Sequence, residues 1–155
     1  MLIDSIYAYM ISVPAMAAAL GSPSTRVDRM SGMFPLLAPD AASLPYIVTQ
    51  QIIAQPVYTL DGVNRFCTSR WSFNCYSSPY KATKIFAKIV KDVMTGVPLG
   101  VSLPPVGPAA HNNISIVVQC VVPVMLDIEG MEEIPHGTLF SVRHDFLIAY
   151  IDNEG

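Results

Sequence analysis

The chain has 155 residues, a length that suits one domain with its own core rather than two. Hydrophobic residues make up 52% and charged residues only 14%, against about 25% charged in an ordinary soluble domain, so part of the apolar surface is expected to end in protein–protein contacts. Nine Lys and Arg stand against twelve Asp and Glu, a net charge of −3, which argues against general nucleic-acid binding through a basic surface.

The chain opens with Leu2, Ile3, Ile6, Tyr7, Met10 and Ile11 at helical spacing, Tyr9 lying off the stripe. Pro14 interrupts this N-terminal helix, and a further short turn over 15–20 ends at Gly21. The segment lacks a basic leader and carries Asp4, so a secretory signal is not expected, and no apolar run is long enough to span a bilayer. Residues 26–30 read as a short edge strand. The loop over 31–43 holds Met33, Phe34, Leu36 and Leu37, too apolar to be idle, and they are expected either to tuck under the sheet or to await a neighbour.

Residues 44–55 read as a strand with Tyr46, Val48, Ile52 and Ala54 on the core face. Residues 55–64 form a hairpin turning at Asp61-Gly62, its tip projecting from the body and its pairing loosened at Pro56. Residues 65–76 alternate as a central strand, Cys67, Trp71, Phe73 and Cys75 on one face and Arg70, Ser72 and Asn74 on the other. Ser78 is placed as a helix cap and Pro79 as the first helical residue.

Over 79–95, Ala82, Ile85, Phe86, Ile89, Val90, Val93 and Met94 form one apolar stripe, and Gly96 is placed to end the helix. Lys81, Lys84, Lys88 and Lys91 fall on the other side; a solvated helix face is the ordinary reading of such a row. A proline-rich connection over 97–113 follows, and loops of that length are commonly functional or disordered. Then comes a long strand with an unbroken apolar face from Ile114 through Ile116, Val118, Cys120, Val122 and Val124 to Leu126. A polar turn near Asp127, Glu129, Glu132 and Glu133 leads to a last strand with Phe140, Val142, Phe146, Ile148 and Tyr150 inward. The expected architecture over 1–155 is a single α+β domain: an antiparallel sheet of about four strands, the 79–95 helix on one face, and an N-terminal helix.

No motif for catalysis, phosphate or calcium binding occurs. Neither a cofactor nor a metal is expected. The three cysteines make no disulfide framework; Cys67 and Cys75 lie about 26 Å apart on one strand. All three read as small core hydrophobes in a reduced, cytosolic setting. His144 reads as a core histidine held by a hydrogen bond, facing away from its neighbour Asp145. Gln50, Arg143 and His144 are scattered polar candidates that form no constellation.

The order of segments (an N-terminal helical segment, Leu44–Gln50, a hairpin, Arg70–Tyr76, a helix from about Ser77–Tyr80, and the strand Ser141–Ile148) resembles the tail-completion or tail-terminator proteins of long-tailed bacteriophages and prophages. The resemblance spans most of the chain. It implies a structural virion protein, not an enzyme, closing into a homo-oligomeric ring, typically a hexamer, at the head-proximal end of the tail. Its partners would be the tail-tube protein below and the head–tail connector or stopper above, with DNA passing through the ring and no membrane involved. Assembly would take place in the host bacterial cytoplasm, and the mature location would be the tail or neck of the virion. The 97–113 loop is longer than the family pattern, which leaves a head-side adaptor of the neck as an alternative; a small ligand-binding or enzymatic α+β domain is a third reading.

Ring closure needs one surface to meet a different surface of the next subunit. The expected subunit or tube contacts are Val57, Tyr58 and Leu60 on the projecting hairpin, then Leu103 and Val106, then Met33 and Phe34. In a ring, Lys81, Lys84, Lys88 and Lys91 are the candidates to face the lumen and its DNA.

Overall fold

The computed structural model describes residues 2–20, 33–36, 45–59, 62–100, 103, 116–134 and 137–152. Two helices, α1 (Leu2–Ser12) and α2 (Pro14–Leu20), precede strands β1 (Met33–Pro35), β2 (Tyr46–Thr59) and β3 (Gly62–Ser77). Helix α3 (Tyr80–Thr95) and strands β4 (Ile116–Ile134) and β5 (Gly137–Asp152) complete the order. The strands form one five-stranded sheet in the order β1-β2-β3-β5-β4. All neighbours are antiparallel except β1, which runs parallel to β2. The fold is α+β, with one strand more than the sequence pattern suggested. The extra strand is three residues long, too short to show periodicity, and lies just past residues 26–30, which are outside the described residues.

Helices cover one face of the sheet. Phe73, Cys75, Val142, Phe146 and Ile148 point to that side and are buried with Phe86, Ala87, Val90 and Met94 of α3 and Ile6 and Met10 of α1. The rings of Phe73 and Phe146 meet edge to face at 5.5 Å. Alternation therefore orients β3 and β5 as the sequence implied, and His144 Nε2 donates to the Ala87 carbonyl at 3.1 Å.

Strand β2 faces the other way from its predicted orientation. Ile47 and Thr49 enter the core, while Tyr46 and Val48 pair with Tyr76 and Asn74 on the opposite face. A polar Thr49 is tolerated inside because its hydroxyl hydrogen-bonds the Tyr7 hydroxyl of α1. The register then shifts between Gln51 and Ile53, leaving Ile52 and Ile53 exposed. Replacing Thr49 by Val is expected to cost about 1 kcal/mol, read by urea denaturation, because the buried hydrogen bond between the two hydroxyls is lost.

Strand β4 also departs from simple alternation. Register shifts after Val118 and Pro123 break the apolar row, so Val118 is buried while Cys120, Val122 and Val124 are exposed. A two-residue period cannot survive an inserted residue.

Helix α3 starts one residue later than expected. Pro79, not Ser78, stands at the cap, where its carbonyl accepts from the Thr83 amide at 3.1 Å. Its buried face is Thr83, Phe86, Ala87, Val90, Val93 and Met94. Ile85 is 54% exposed, so the stripe is rotated toward Thr83 and Ala87, whose small side chains let the helix approach the sheet. Ile85→Ala is expected to change unfolding free energy by less than about 0.5 kcal/mol, where a core isoleucine would lose about 2–5. A chemical melt distinguishes the two.

Candidate functional site

The surfaces left for partners follow from how far the strands extend. Pairing of β3 with β5 runs from Phe66↔Ile151 to Ser77↔Phe140. At one end, residues 62–65 of β3 and 58–59 of β2 project beyond it, paired through Tyr58↔Val63 and Thr59↔Gly62. At the other end, residues 137–139 of β5 and 132–134 of β4 project beyond Ser77 and pair only with each other. At 3.3 Å per residue the first projection is about 13 Å along β3 and the second about 10 Å along β5. The sheet thus carries one hairpin tip at each end.

The first tip is the projecting hairpin anticipated from Asp61-Gly62. Val57 and Tyr58 lie on its β2 strand, and Leu60 falls outside the described residues. The second tip was not anticipated as a contact, because its residues read as a solvated turn. Met131 there is 70% exposed, and Glu132 and Glu133 are exposed beside it.

Two further expected contacts are corrected by burial. Phe34 is buried, its ring edge on to Tyr46 at 6.1 Å, and Tyr46 stacks on Tyr76 at 5.0 Å. Leu103 is buried with the helix-side core. Both apolar side chains are used within the chain, as apolar loop residues near a core usually are. Met33 lies on β1, and Val106 falls outside the described residues.

Lys81, Lys84, Lys88 and Lys91 do come together. With Ile85 and His144 they line an open groove of about 430 Å³ along α3. Lys84 Nζ reaches Glu129 Oε1 of β4 at 2.7 Å, and Tyr80 donates to the same carboxylate at 2.9 Å. The Lys84 hydrogen bond, then the Tyr80 one, holds the Glu129 carboxyl below the usual range. One lysine of the row is therefore tied to the edge strand.

The sheet face opposite the helices carries a feature the sequence reading did not find. Asp145 is wholly buried there, between Arg70 of β3 and Arg143 of its own strand. Arg70 donates through Nε and Nη2 to Oδ2 at 3.2 and 2.9 Å. Arg143 donates through Nε to Oδ1 at 2.8 Å and through Nη2 to Oδ2 at 3.1 Å. Burial raises the Asp145 pKa, but the hydrogen bonds and charges of Arg143 and Arg70 outweigh it and hold the carboxyl below its usual range. Arg143 is in turn pushed up, chiefly by its hydrogen bond to Asp145. Arg143 and Asp145, two apart on one strand, were a legible pair; Arg70 needed the β3–β5 register.

Apolar side chains flank this triad. Ile53, Arg70, Leu147 and Val122 lie in one row across β2, β3, β5 and β4. Ile53, Leu147 and Val122 in that row are exposed, and Ile128 beside Arg143 is exposed as well.

Among the described residues there is no group of three or more His, Cys, Asp or Glu able to hold a metal ion. No helix among them is long and apolar enough to cross a membrane. The cysteines occupy three different settings. Cys75 is buried, and burial pushes its thiol pKa up; Cys67 is half-buried; Cys120 is exposed, contrary to its predicted core position. Maleimide is expected to label Cys120 promptly in the native protein and Cys75 only after unfolding, as peptide mass spectrometry would read. The chain matches no family model and no curated protein sequence.

Proposed function

We propose that this chain is a structural subunit of a phage neck, a tail terminator that closes into a ring on the head-proximal end of the tail tube. The observation that carries the reading is the distribution of surface: helices fill one sheet face, while the other keeps exposed apolar side chains and both ends bear projecting hairpins. Such a body has different surfaces at opposite ends, which is what a head-to-tail ring contact uses. The 19-residue strand β4 borders the sheet on the far side from β1, and an edge of that length favours a neighbour over solvent. In this reading the β2–β3 tip reaches the tube or the next subunit, and the opposite end meets the head connector. The groove along α3, with Lys81, Lys88 and Lys91, turns toward the lumen, where phosphates of passing DNA would meet it.

The reading is tested by electron microscopy of tubes grown from the tail-tube protein of the same virus. Adding this chain is expected to give short tubes of uniform length with a collar at one end. Tubes that grow on without a collar would count against a terminator and favour a head-side adaptor.

A further inference from the structure

We infer that the sheet face carrying Arg70 and Arg143 is the docking site for the β4–β5 hairpin tip of a second copy of this chain, a contact that forms between free copies in solution. The inference rests on the ring reading and names the two surfaces that meet. Asp145 is the organising group. Being fully buried, it fixes both guanidinium groups while taking only the Nε and Nη2 donors of each. A guanidinium has five N–H donors, so Nη1 of each arginine is not engaged by Asp145. The side chains are 29% and 35% exposed, and the triad carries one net positive charge. Two arginines aligned in this way make a fork for incoming carboxylates.

The same chain displays the complement. Glu132 and Glu133 lie at the projecting end of the β4–β5 hairpin, with Met131 70% exposed beside them. Met131 and Glu133, two apart on β4, share one side of the hairpin; the Glu133 carboxylate meets the arginine fork, and Met131 meets the apolar row of Ile53, Leu147 and Val122. A thioether adapts to an irregular apolar surface without close shape matching. Within one copy the tip cannot reach this site: Glu132 pairs with Leu139, on the same strand four residues from Arg143 and about 13 Å away at 3.3 Å per residue. The contact is therefore between copies, and because tip and face differ, it propagates head to tail.

Two variants of the full chain test it by sedimentation velocity. Glu132→Arg with Glu133→Arg reverses the tip and leaves the face intact. Leu147→Glu supplies a carboxylate beside Arg70 within the same copy and leaves the tip intact. Each is expected to weaken self-association by about 100-fold or more, and thermal melts report whether each still folds. The equimolar mixture is expected to form a dimer and nothing larger, since one intact tip then meets one intact face. Wild-type assembly that persists in the folded tip variant, or a mixture that stays monomeric, overturns the contact while leaving the ring reading standing. A wild-type chain monomeric at every concentration also overturns it, and if tubes too remain uncapped the ring reading falls with it.

Discussion

Replacing Phe73 by Ala is expected to lower the unfolding free energy by about 3–5 kcal/mol, the largest single loss anticipated for this chain. Phe73 is wholly buried at the centre of β3, its ring against Phe146 and the helix layer above. Truncation removes the transfer free energy of the ring and leaves a void bounded by sheet on one side and α3 on the other. Neither wall can collapse inward: β3 is hydrogen-bonded to β2 and β5 on both sides, and α3 is seated by Phe86, Val90 and Met94. Urea denaturation with an unchanged slope would read the loss directly. A cost below about 1 kcal/mol would mean that the two layers are not packed as described.

Asp145→Asn is expected to cost about 2–3 kcal/mol, at the lower edge of what is lost when a buried charge pair is broken, because both arginines keep partial contact with water. The amide is nearly isosteric, so the loss reports charge: two guanidinium groups remain close together without the carboxylate between them. The same triad sets a pH dependence. Asp145 has a folded-state pKa below its unfolded value, despite the opposing effect of burial, because the hydrogen bonds and charges of Arg143 and Arg70 outweigh it. Its contribution is therefore fully present above the unfolded value of about 4, and is lost as pH falls through the lower folded value. Wild type is expected to lose stability on acidification below about pH 4 more steeply than Asp145→Asn, the two curves converging at the acid end. Parallel curves would show that the carboxylate is not held by the arginines.

Much of this fold can be read from residue order. The alternation of Trp71, Phe73 and Cys75 and that of Val142, Phe146 and Ile148 place β3 and β5 with the right faces inward, since neither strand is interrupted by a register shift against the other. Strands β2 and β4 resist the same treatment. Each carries irregularities, after Gln51 and Pro56 in one and after Val118, Pro123 and Met125 in the other, and a single inserted residue exchanges the two faces beyond it. Thr49 adds to the difficulty, because a hydroxyl satisfied by Tyr7 from 42 residues away looks polar until that partner is known. On α3, Ile85 outweighs Thr83 on any hydropathy scale, yet the helix turns Thr83 inward because its hydroxyl bonds the Pro79 carbonyl at 3.1 Å.

The surface was legible in part. The β2–β3 projection followed from Asp61-Gly62 and its flanking strands, and the lysines gather along one groove as their spacing implied. Phe34 and Leu103 read as contacts because they lie in loop-like sequence; tertiary packing draws both inside. The Arg70–Asp145–Arg143 cluster joins residues 75 apart, so it exists only once β3 and β5 are in register. Sequence reasoning assigned Asp145 to a face without assigning it a partner.

Above all, this body is built to meet copies of itself. Static light scattering gives the most direct test, with mass measured for the purified chain alone and after mixing with the tail-tube protein. A ring-sized species is expected for the chain alone, and collared tubes of fixed length in the mixture. A single species at the 16.8 kDa of one chain, unchanged by tubes, would contradict it.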